Sequence, residues 1–141
     1  MTGYTAAEMI EQANKILNPR KLGQNNTAGN VACALLGNDG NLYYGVCIDV
    51  SCSMGFCAEH AAIAAMITAG ETGISKIVAV KGGDESKVLP PCGRCREFMN
   101  QIDDNNYDHT DVILGVAEAV KLRALLPRSY HEVWDDKPEP Y

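Results

Sequence analysis

The alternation of strand and helix patterns after Asn41 is the strongest constraint on the fold. Three segments have the length and apolar or β-branched content of largely buried strands: residues 41–49, 76–80 and 111–116. Helical patterns at residues 57–70 and at about 92–102 separate these strands. Such alternation is typical of a sheet that contains parallel strands with helices packed on its faces.

Further elements are predicted at both ends of the chain. Residues 5–17 have helical spacing, with Thr5 as N-cap and a glutamate three residues later. A polar loop follows, and the turn sequence NDG between residues 31–37 and 41–49 then predicts a β-hairpin. A short helix over 121–127 closes the fold.

The pattern shows no internal boundary, so we predict one domain over residues 1–141. The charged, proline-containing tail at residues 135–141 is expected to fray.

Cysteines stand at the starts of the two middle helices. Right-handed crossovers bring each helix start to the carboxyl end of the strand before it. The strands before Cys57 and Cys92 are expected to be neighbours, so these two cysteines should meet at one edge of the sheet. Cys95 lies three residues after Cys92 and faces the same way on a helix. Three sulfur ligands suit zinc, and a site with three protein ligands is typical of catalytic zinc.

Glu59 lies in the first turn of an otherwise apolar helix. Burying a carboxylate there is costly unless it has a task. Beside water activated by zinc it can accept a proton and later return it to the substrate. The alternative is a glutamate that caps the helix or complements its dipole.

Composition excludes several classes of function. The chain has a net charge of −6 and no basic cluster, which disfavours a nucleic-acid partner. No apolar run approaches the roughly 20 residues of a membrane span, and the N-terminus lacks a secretion signal. The six cysteines then indicate metal binding, burial or catalysis in a reducing compartment, so we expect a cytoplasmic protein.

The motifs CAE and PCGRC together resemble the small three-cysteine cytidine deaminases and their blasticidin-S deaminase relatives. The resemblance extends from about residue 31 to residue 130. It implies a three-layer α/β/α fold with a mixed sheet of about five strands and a Zn²⁺ ion held by Cys57, Cys92 and Cys95. It also implies a hydrolase in which Glu59 shuttles protons while a cytosine-type nucleoside, cytidine or deoxycytidine, loses ammonia.

The resemblance also assigns residues to the substrate, a small nucleoside-like molecule. Cys47 and Asp49 stand where relatives acting on cytidine carry an Asn and a Glu that grip the ribose. Ala58 is assigned to the same site, and Tyr130 follows the motif LLP, where relatives send an aromatic over the base, often in a neighbouring subunit. The family further implies a homotetramer.

Two cationic side chains are expected around the sulfurs. Three thiolates leave zinc with a net charge of −1, and a cation that donates to sulfur withdraws some of that charge. Arg96 and His60 occupy the positions where relatives carry arginines. An ordinary surface charge for Arg96 and a core histidine for His60 are the alternatives.

Two other functions remain open from the sequence. One is deamination of blasticidin S or another aminopyrimidine or aminopurine. The other is a non-catalytic zinc module, because Cys57 and His60 together with Cys92 and Cys95 have the spacing of a four-ligand structural site. That module leaves Glu59 without a role.

Overall fold

The computed structural model describes residues 3–133 and contains a seven-stranded mixed sheet in that range. The strands are β1 (Arg20–Leu22), β2 (Asn26–Gly37), β3 (Leu42–Asp49), β4 (Ile74–Lys81), β5 (Lys87–Leu89), β6 (Asp111–Gly115) and β7 (Glu118–Lys121). The helices are α1 (Ala6–Lys15), α2 (Ala58–Thr68), α3 (Gly93–Ile102), α4 (Asn106–His109) and α5 (Leu122–Leu125), followed by a 3₁₀ turn at Tyr130–Val133. No helix in this part of the chain has the length and apolar content to cross a membrane.

Strand β2 lies between β3 and β4 in the sheet and is antiparallel to both. We expected the strands that precede the two cysteine helices to be neighbours, and that detail was wrong, because the hairpin keeps β2 beside β3 and its other edge pairs with β4. Strands β3 and β4 nevertheless run in the same direction, since both oppose β2. Their carboxyl ends therefore lie at one edge of the sheet, as the placement of the helices requires. Strand β6 pairs with β4 in parallel.

Alternating side chains on the strands divide the core into two halves. On one face α1 packs over the half that contains Ala32, Ala34, Leu36, Val78 and Val80. On the other face α2 and α3 pack over the half that contains Cys33, Leu35, Ile77, Ala62, Ile63, Met66 and Met99. The arrangement confirms the three-layer α/β/α fold.

A side-chain cap marks where α1 begins, and a glycine in β3 determines how closely α2 approaches the sheet. The Thr5 hydroxyl accepts a hydrogen bond from the backbone N–H of Glu8 and so caps α1, as predicted. A Cβ at Gly45 would lie 2.3 Å from the backbone nitrogen of Ala62. The glycine therefore lets α2 close directly over β3.

Three short strands, in addition to the four that the sequence pattern indicated, bring the number to seven against about five expected. Strands β1 and β5 arise where we expected polar loops, and β2 begins at Asn26 within the first of these loops. Strand β7 pairs antiparallel with β6 just before α5. Each of these strands has only three or four residues, too few for a strand pattern of its own. Hydrogen bonds to a longer neighbouring strand stabilise it instead. The tail that we expected to fray lies outside the described residues.

Candidate active site

The starts of α2 and α3 meet at one edge of the sheet, as the sequence predicted. Cys57 is the N-cap of α2 and Cys92 is the N-cap of α3, and their sulfurs lie 3.6 Å apart. Cys95, on the first turn of α3, places its sulfur 3.5 Å from that of Cys92. Backbone hydrogen bonds of 3.0 Å in both directions between Phe56 and Ile48 return the chain to the end of β3 just before α2 begins.

The geometry of the three sulfurs fits zinc. All three lie within 4.8 Å of one another. Tetrahedral zinc with Zn–S bonds of about 2.3 Å separates its sulfurs by about 3.8 Å, close to the observed spacings. The cofactor of this site is therefore Zn²⁺, with Cys57, Cys92 and Cys95 as the residues suited to hold it.

The acidity of the thiols also favours a metal site. Partial burial acts to raise the pKa of Cys92, yet this pKa is lowered overall, because backbone N–H groups and the other two thiols favour its thiolate. Burial raises the pKa of Cys57, and the Cys92 thiol adds to that effect. Burial also raises the pKa of Cys95, followed by the charge of Glu59. A divalent cation supplies the positive charge that two such thiols need to ionise.

His60 contacts one sulfur without joining the cluster. Its Nδ1 lies 3.3 Å from the Cys95 sulfur, and its ring stacks on Phe98 with centroids 4.3 Å apart. The set of mutually close ligand atoms in residues 3–133 contains the three sulfurs and no nitrogen of His60. Burial lowers the pKa of His60, and the positive charge of Arg94 lowers it further, so the neutral ring is favoured. The geometry does not favour the four-ligand structural module.

Glu59 reaches the same pocket from the first turn of α2 and is only 5% exposed. Burial raises the pKa of its carboxyl, partly offset by a hydrogen bond from its own backbone. Its charge in turn adds to the effect of burial in raising the pKa of Cys95. A buried carboxyl with a raised pKa is suited to accept and return a proton.

A cavity of about 720 Å³ opens above the cysteines. Its volume lies within the range of about 300–1,000 Å³ that is usual for small-molecule sites. Of the residues that we assigned to the substrate, Cys47, Asp49 and Ala58 line it. Tyr130 does not line the cavity of its own chain, since it is 57% exposed and its backbone N–H donates to Glu97. Its predicted role in a neighbouring subunit stays a prediction.

Cys47 also supports a bulge in β2. The register between β2 and β3 shifts between Ala28 and Ala32, so residues 29–31 oppose Cys47 alone. The Cys47 sulfur accepts a hydrogen bond of 3.3 Å from the backbone N–H of Val31. The Cys47 thiol also lies 3.7 Å from a carboxylate oxygen of Asp49. Cys47 therefore shapes the pocket wall as well as facing the cavity.

Gly29 and Asn30 complete this bulge. Gly29 has a φ of +83°, and a Cβ there would lie 2.0 Å from the carbonyl oxygen of Asn18, so only glycine fits. Asn30, the next residue, is exposed and lines the cavity. Asn30 was not among the predicted site residues, although a polar run directly before a buried strand can indicate residues at a binding site.

Arg96 holds the start of α3 in place through two hydrogen bonds. Its guanidinium donates to the carbonyl of Pro91 at 2.7 Å and to the carbonyl of Leu125 at 3.1 Å. These bonds tie the helix start to the last residue of α5. The predicted effect of Arg96 on the zinc thiolates stays a prediction.

The loop between β3 and α2 forms part of the rim. Ser51 and Ser53 line the cavity. Cys52 and Ser53 have φ values of 64° and 57°, the left-handed region that non-glycine residues rarely adopt. The rim therefore holds two adjacent residues in an unfavourable backbone conformation.

Sequence comparison links the chain to one family of enzymes. The family described as "Cytidine and deoxycytidylate deaminase zinc-binding region" matches residues 6–107. A cytidine deaminase from Aliivibrio fischeri is 35% identical over 97 residues, which cover 67% of this chain and 29% of that protein. One from Aeromonas hydrophila is 33% identical over 108 residues, covering 72% and 31%. The chain thus spans less than a third of the length of these relatives.

Solved structures share the fold over nearly their whole length. A cytidine deaminase from Mycobacterium tuberculosis superposes with a TM-score of 0.68 at 25% identity, covering 86% of this chain and 94% of that one. One from Bacillus anthracis has a TM-score of 0.69 at 21% identity, covering 90% of both chains. These similarities do not favour the alternative substrates or the structural zinc module.

Proposed function

Because this chain belongs to the family of cytidine and deoxycytidylate deaminases, we propose that it is a zinc-dependent hydrolase that converts a cytosine-type nucleoside to its uracil form. Water replaces the exocyclic amino group, and ammonia is released. The observation that carries this proposal is a cluster of three cysteine sulfurs at a cavity that Cys57, Cys92 and the buried Glu59 line.

We assign the proton transfers to Glu59, and its buried position in the cavity supports this role. When bound, zinc supplies Lewis-acid chemistry that makes a nucleophile from water near neutral pH. The Glu59 carboxylate accepts the proton that this water loses, and the resulting carboxyl donates a proton to the ring nitrogen. As the C–N bond breaks, Glu59 passes the second water proton to the leaving amino group. One water is consumed and one ammonia is formed.

Residues on the pocket wall would orient the nucleoside. The Asp49 carboxylate can accept a hydrogen bond from a sugar hydroxyl, and the Cys47 sulfur beside it is a weaker acceptor. Ala58, between a zinc cysteine and Glu59, leaves room for a flat base next to the reacting groups. These assignments are supported by the positions of the three residues around one cavity.

The direct test is release of ammonia by the zinc-loaded protein from cytidine, deoxycytidine, adenosine and free cytosine. We expect turnover of the cytosine nucleosides. Glu59→Gln keeps the size of the side chain but cannot relay a proton, so we expect it to retain zinc and lose at least about 10²–10⁴ in rate. Undiminished turnover by this variant would remove Glu59 from the mechanism.

We also propose that the chain forms a homotetramer. After its first turn, which contains Glu59 and His60, helix α2 has no charged side chain. Its outward positions Ala64, Ala65 and Ile67 are exposed, with Ile67 at 42%. A helix that is apolar all round is usually buried on every side, and a second copy of the chain would cover this face.

Two further proposals follow from the nature of the site. A cluster of thiolate ligands persists where thiols stay reduced, which supports a cytoplasmic location. The two halves of the core share the same strands β2, β4 and β6, which supports a single domain over residues 1–141.

A further inference from the structure

Cys47 lies in the wall of the cavity and contacts both strands that form it. Its sulfur accepts a hydrogen bond from the backbone N–H of Val31 at 3.3 Å, and its thiol donates to a carboxylate oxygen of Asp49 at 3.7 Å. Only 7% of the residue is exposed. A thiol has a single hydrogen to donate, and its sulfur is a weak acceptor. The hydrogen-bonding capacity of Cys47 is therefore directed at the protein rather than at a substrate.

Asp49 depends on this thiol for its orientation. The two residues stand two positions apart on β3, so their side chains emerge on the same face of the sheet. Asp49 is exposed and lines the cavity. Among the hydrogen bonds and ion pairs of residues 3–133, the contact with Cys47 is the one that involves the Asp49 carboxylate. A carboxylate that is held before the substrate arrives loses less conformational freedom on binding.

The bulge in β2 provides a fixed point for the sulfur. Residues 29–31 oppose Cys47 where the register between β2 and β3 shifts. On the other side of β2, the carbonyl of Asn30 accepts a hydrogen bond of 3.0 Å from the backbone N–H of Gly82, and Val31 is in register with β4. The N–H that holds the sulfur thus belongs to backbone that is itself bonded to a neighbouring strand.

We propose that Cys47 is a positioning residue for substrate recognition. Its thiol, held by the Val31 N–H, fixes one carboxylate oxygen of Asp49 and leaves the other oxygen for a sugar hydroxyl. Cys47 thus contributes to binding through Asp49 and not by its own contact with the sugar. This inference rests on the proposed deaminase function and refines the part that position 47 has in it.

The test measures how strongly the zinc-loaded protein distinguishes cytidine from 2′,3′-dideoxycytidine, which lacks two sugar hydroxyls. The ratio of kcat/KM for the two compounds reports recognition of these hydroxyls, and we expect the parent to favour cytidine. Cys47→Ala should lower the ratio about tenfold, mainly through a higher KM for cytidine, because a hydrogen bond to a charged group is lost. Cys47→Ser keeps a donor and an acceptor on the same Cβ and should restore most of the ratio.

A double-mutant cycle separates positioning from direct contact. Asp49→Ala should lower the ratio at least as far as Cys47→Ala does. Adding Cys47→Ala to Asp49→Ala should lower it no further, because no carboxylate is left to position. A further loss in the double variant, of the size seen for Cys47→Ala alone, would indicate direct contact with the sugar and overturn the proposal. A serine variant that behaves like the alanine variant would also overturn it, as would an unchanged ratio in Cys47→Ala or a parent that does not favour cytidine.

Cys33→Ala is the matched control. Cys33 is another buried cysteine in the same half of the core, but it does not line the cavity. We expect this variant to lose stability and to keep the ratio of the parent. A fall in the ratio as large as that of Cys47→Ala would assign the effect to core packing and overturn the role of Asp49 in it.

Failure of the deaminase function gives a different result. If neither compound releases ammonia, calorimetry with cytidine on the parent, the two single variants and the double variant decides the role of Cys47. Weaker binding in Cys47→Ala that disappears as an effect in the Asp49→Ala background supports the positioning role without deamination. An unchanged dissociation constant in Cys47→Ala, or no binding to the parent protein, overturns the positioning role as well.

Discussion

His60 lies between a zinc-ligand sulfur and an aromatic ring, and this position defines what a histidine can do there. Its Nδ1 is 3.3 Å from the Cys95 sulfur, and the stack on Phe98 fixes the plane of the imidazole. Because burial favours the neutral ring, the nitrogen can donate its proton to the thiolate. We therefore expect His60 to tune a ligand rather than to act as one.

His60→Ala provides the residue-scale prediction. We expect about one zinc per chain to remain, because the three sulfurs still hold the metal, while kcat/KM falls about 10- to 100-fold, as is usual when a partner of a metal ligand is lost. Zinc content by mass spectrometry and deaminase kinetics measure the two effects. Phe98→Leu, which removes the stack but keeps the sulfur contact, should be milder. If His60→Ala lost its zinc while Phe98→Leu kept it, the structural zinc site with four ligands would again be favoured.

Some residues of the candidate site could be predicted from the sequence, and others could not. Cys57, Cys92 and Cys95 were predictable because helix starts at one sheet edge and a three-residue spacing constrain where the sulfurs lie. Arg94, which lines the cavity, was not predicted, since an exposed arginine in a helix is normally a solvated charge and nothing in its spacing marks it. The position of Asn30 at the cavity depends on a bulge in β2. A bulge is a property of two paired strands, so the sequence of either strand alone does not reveal it.

At the scale of elements, Glu71 joins the end of α2 to the β2–β3 hairpin. Its carboxylate accepts hydrogen bonds from the backbone N–H of Asp39 at 3.1 Å, from the Asn41 amide at 3.3 Å and from the Tyr43 hydroxyl. The Tyr43 bond is the main reason that the pKa of Glu71 is lowered. The helix that begins at the zinc site is thereby anchored to the hairpin at its far end.

Glu71→Gln should therefore lower the melting temperature near pH 7. A carboxyl whose pKa is depressed by folding contributes stability above its unfolded pKa of about 4.3 and loses it as the pH falls through the folded value. The difference in melting temperature between parent and variant should accordingly shrink below about pH 4. Glu11→Gln, which removes an exposed carboxylate from α1, is the control. A difference that stays constant down to acid pH would contradict this role of Glu71.

Elements with their own pattern were predictable, whereas elements made by pairing were not. Helix α1 was readable from its spacing and its Thr5 cap, and α2 from its apolar run. Strands β1 and β5 have three residues each, too few for a two-residue alternation to stand out. They are strands because the edges of β2 and β4 offer them hydrogen bonds.

For the whole molecule, the two faces of the sheet differ in how completely their helices are covered. Helix α1 turns a polar face outward, with Glu11 and Lys15 paired on it. Helix α2 instead exposes alanines and Ile67 on its outer side. That asymmetry is expected when one layer meets solvent and the other meets further copies of the chain.

Ala64→Glu tests the assembly. A charge on the outer side of α2 would have to be buried between copies, so we expect a species smaller than the parent tetramer by light scattering coupled to gel filtration. Ala7→Glu places the same charge on an exposed position of α1 and should leave the tetramer intact. A parent protein that elutes as a monomer at micromolar concentration would disprove the proposed assembly.

The left-handed backbone at Cys52 and Ser53 has a consequence for how this chain evolves. Glycine at either position would relieve an unfavourable conformation, so selection for heat resistance alone favours that replacement. Selection for catalysis opposes it, because Ser53 lines the cavity and glycine would loosen the rim. A population selected for heat resistance should therefore acquire glycine at these two positions, whereas one selected for activity should keep the present residues. The heat-resistant variants should gain stability and lose turnover.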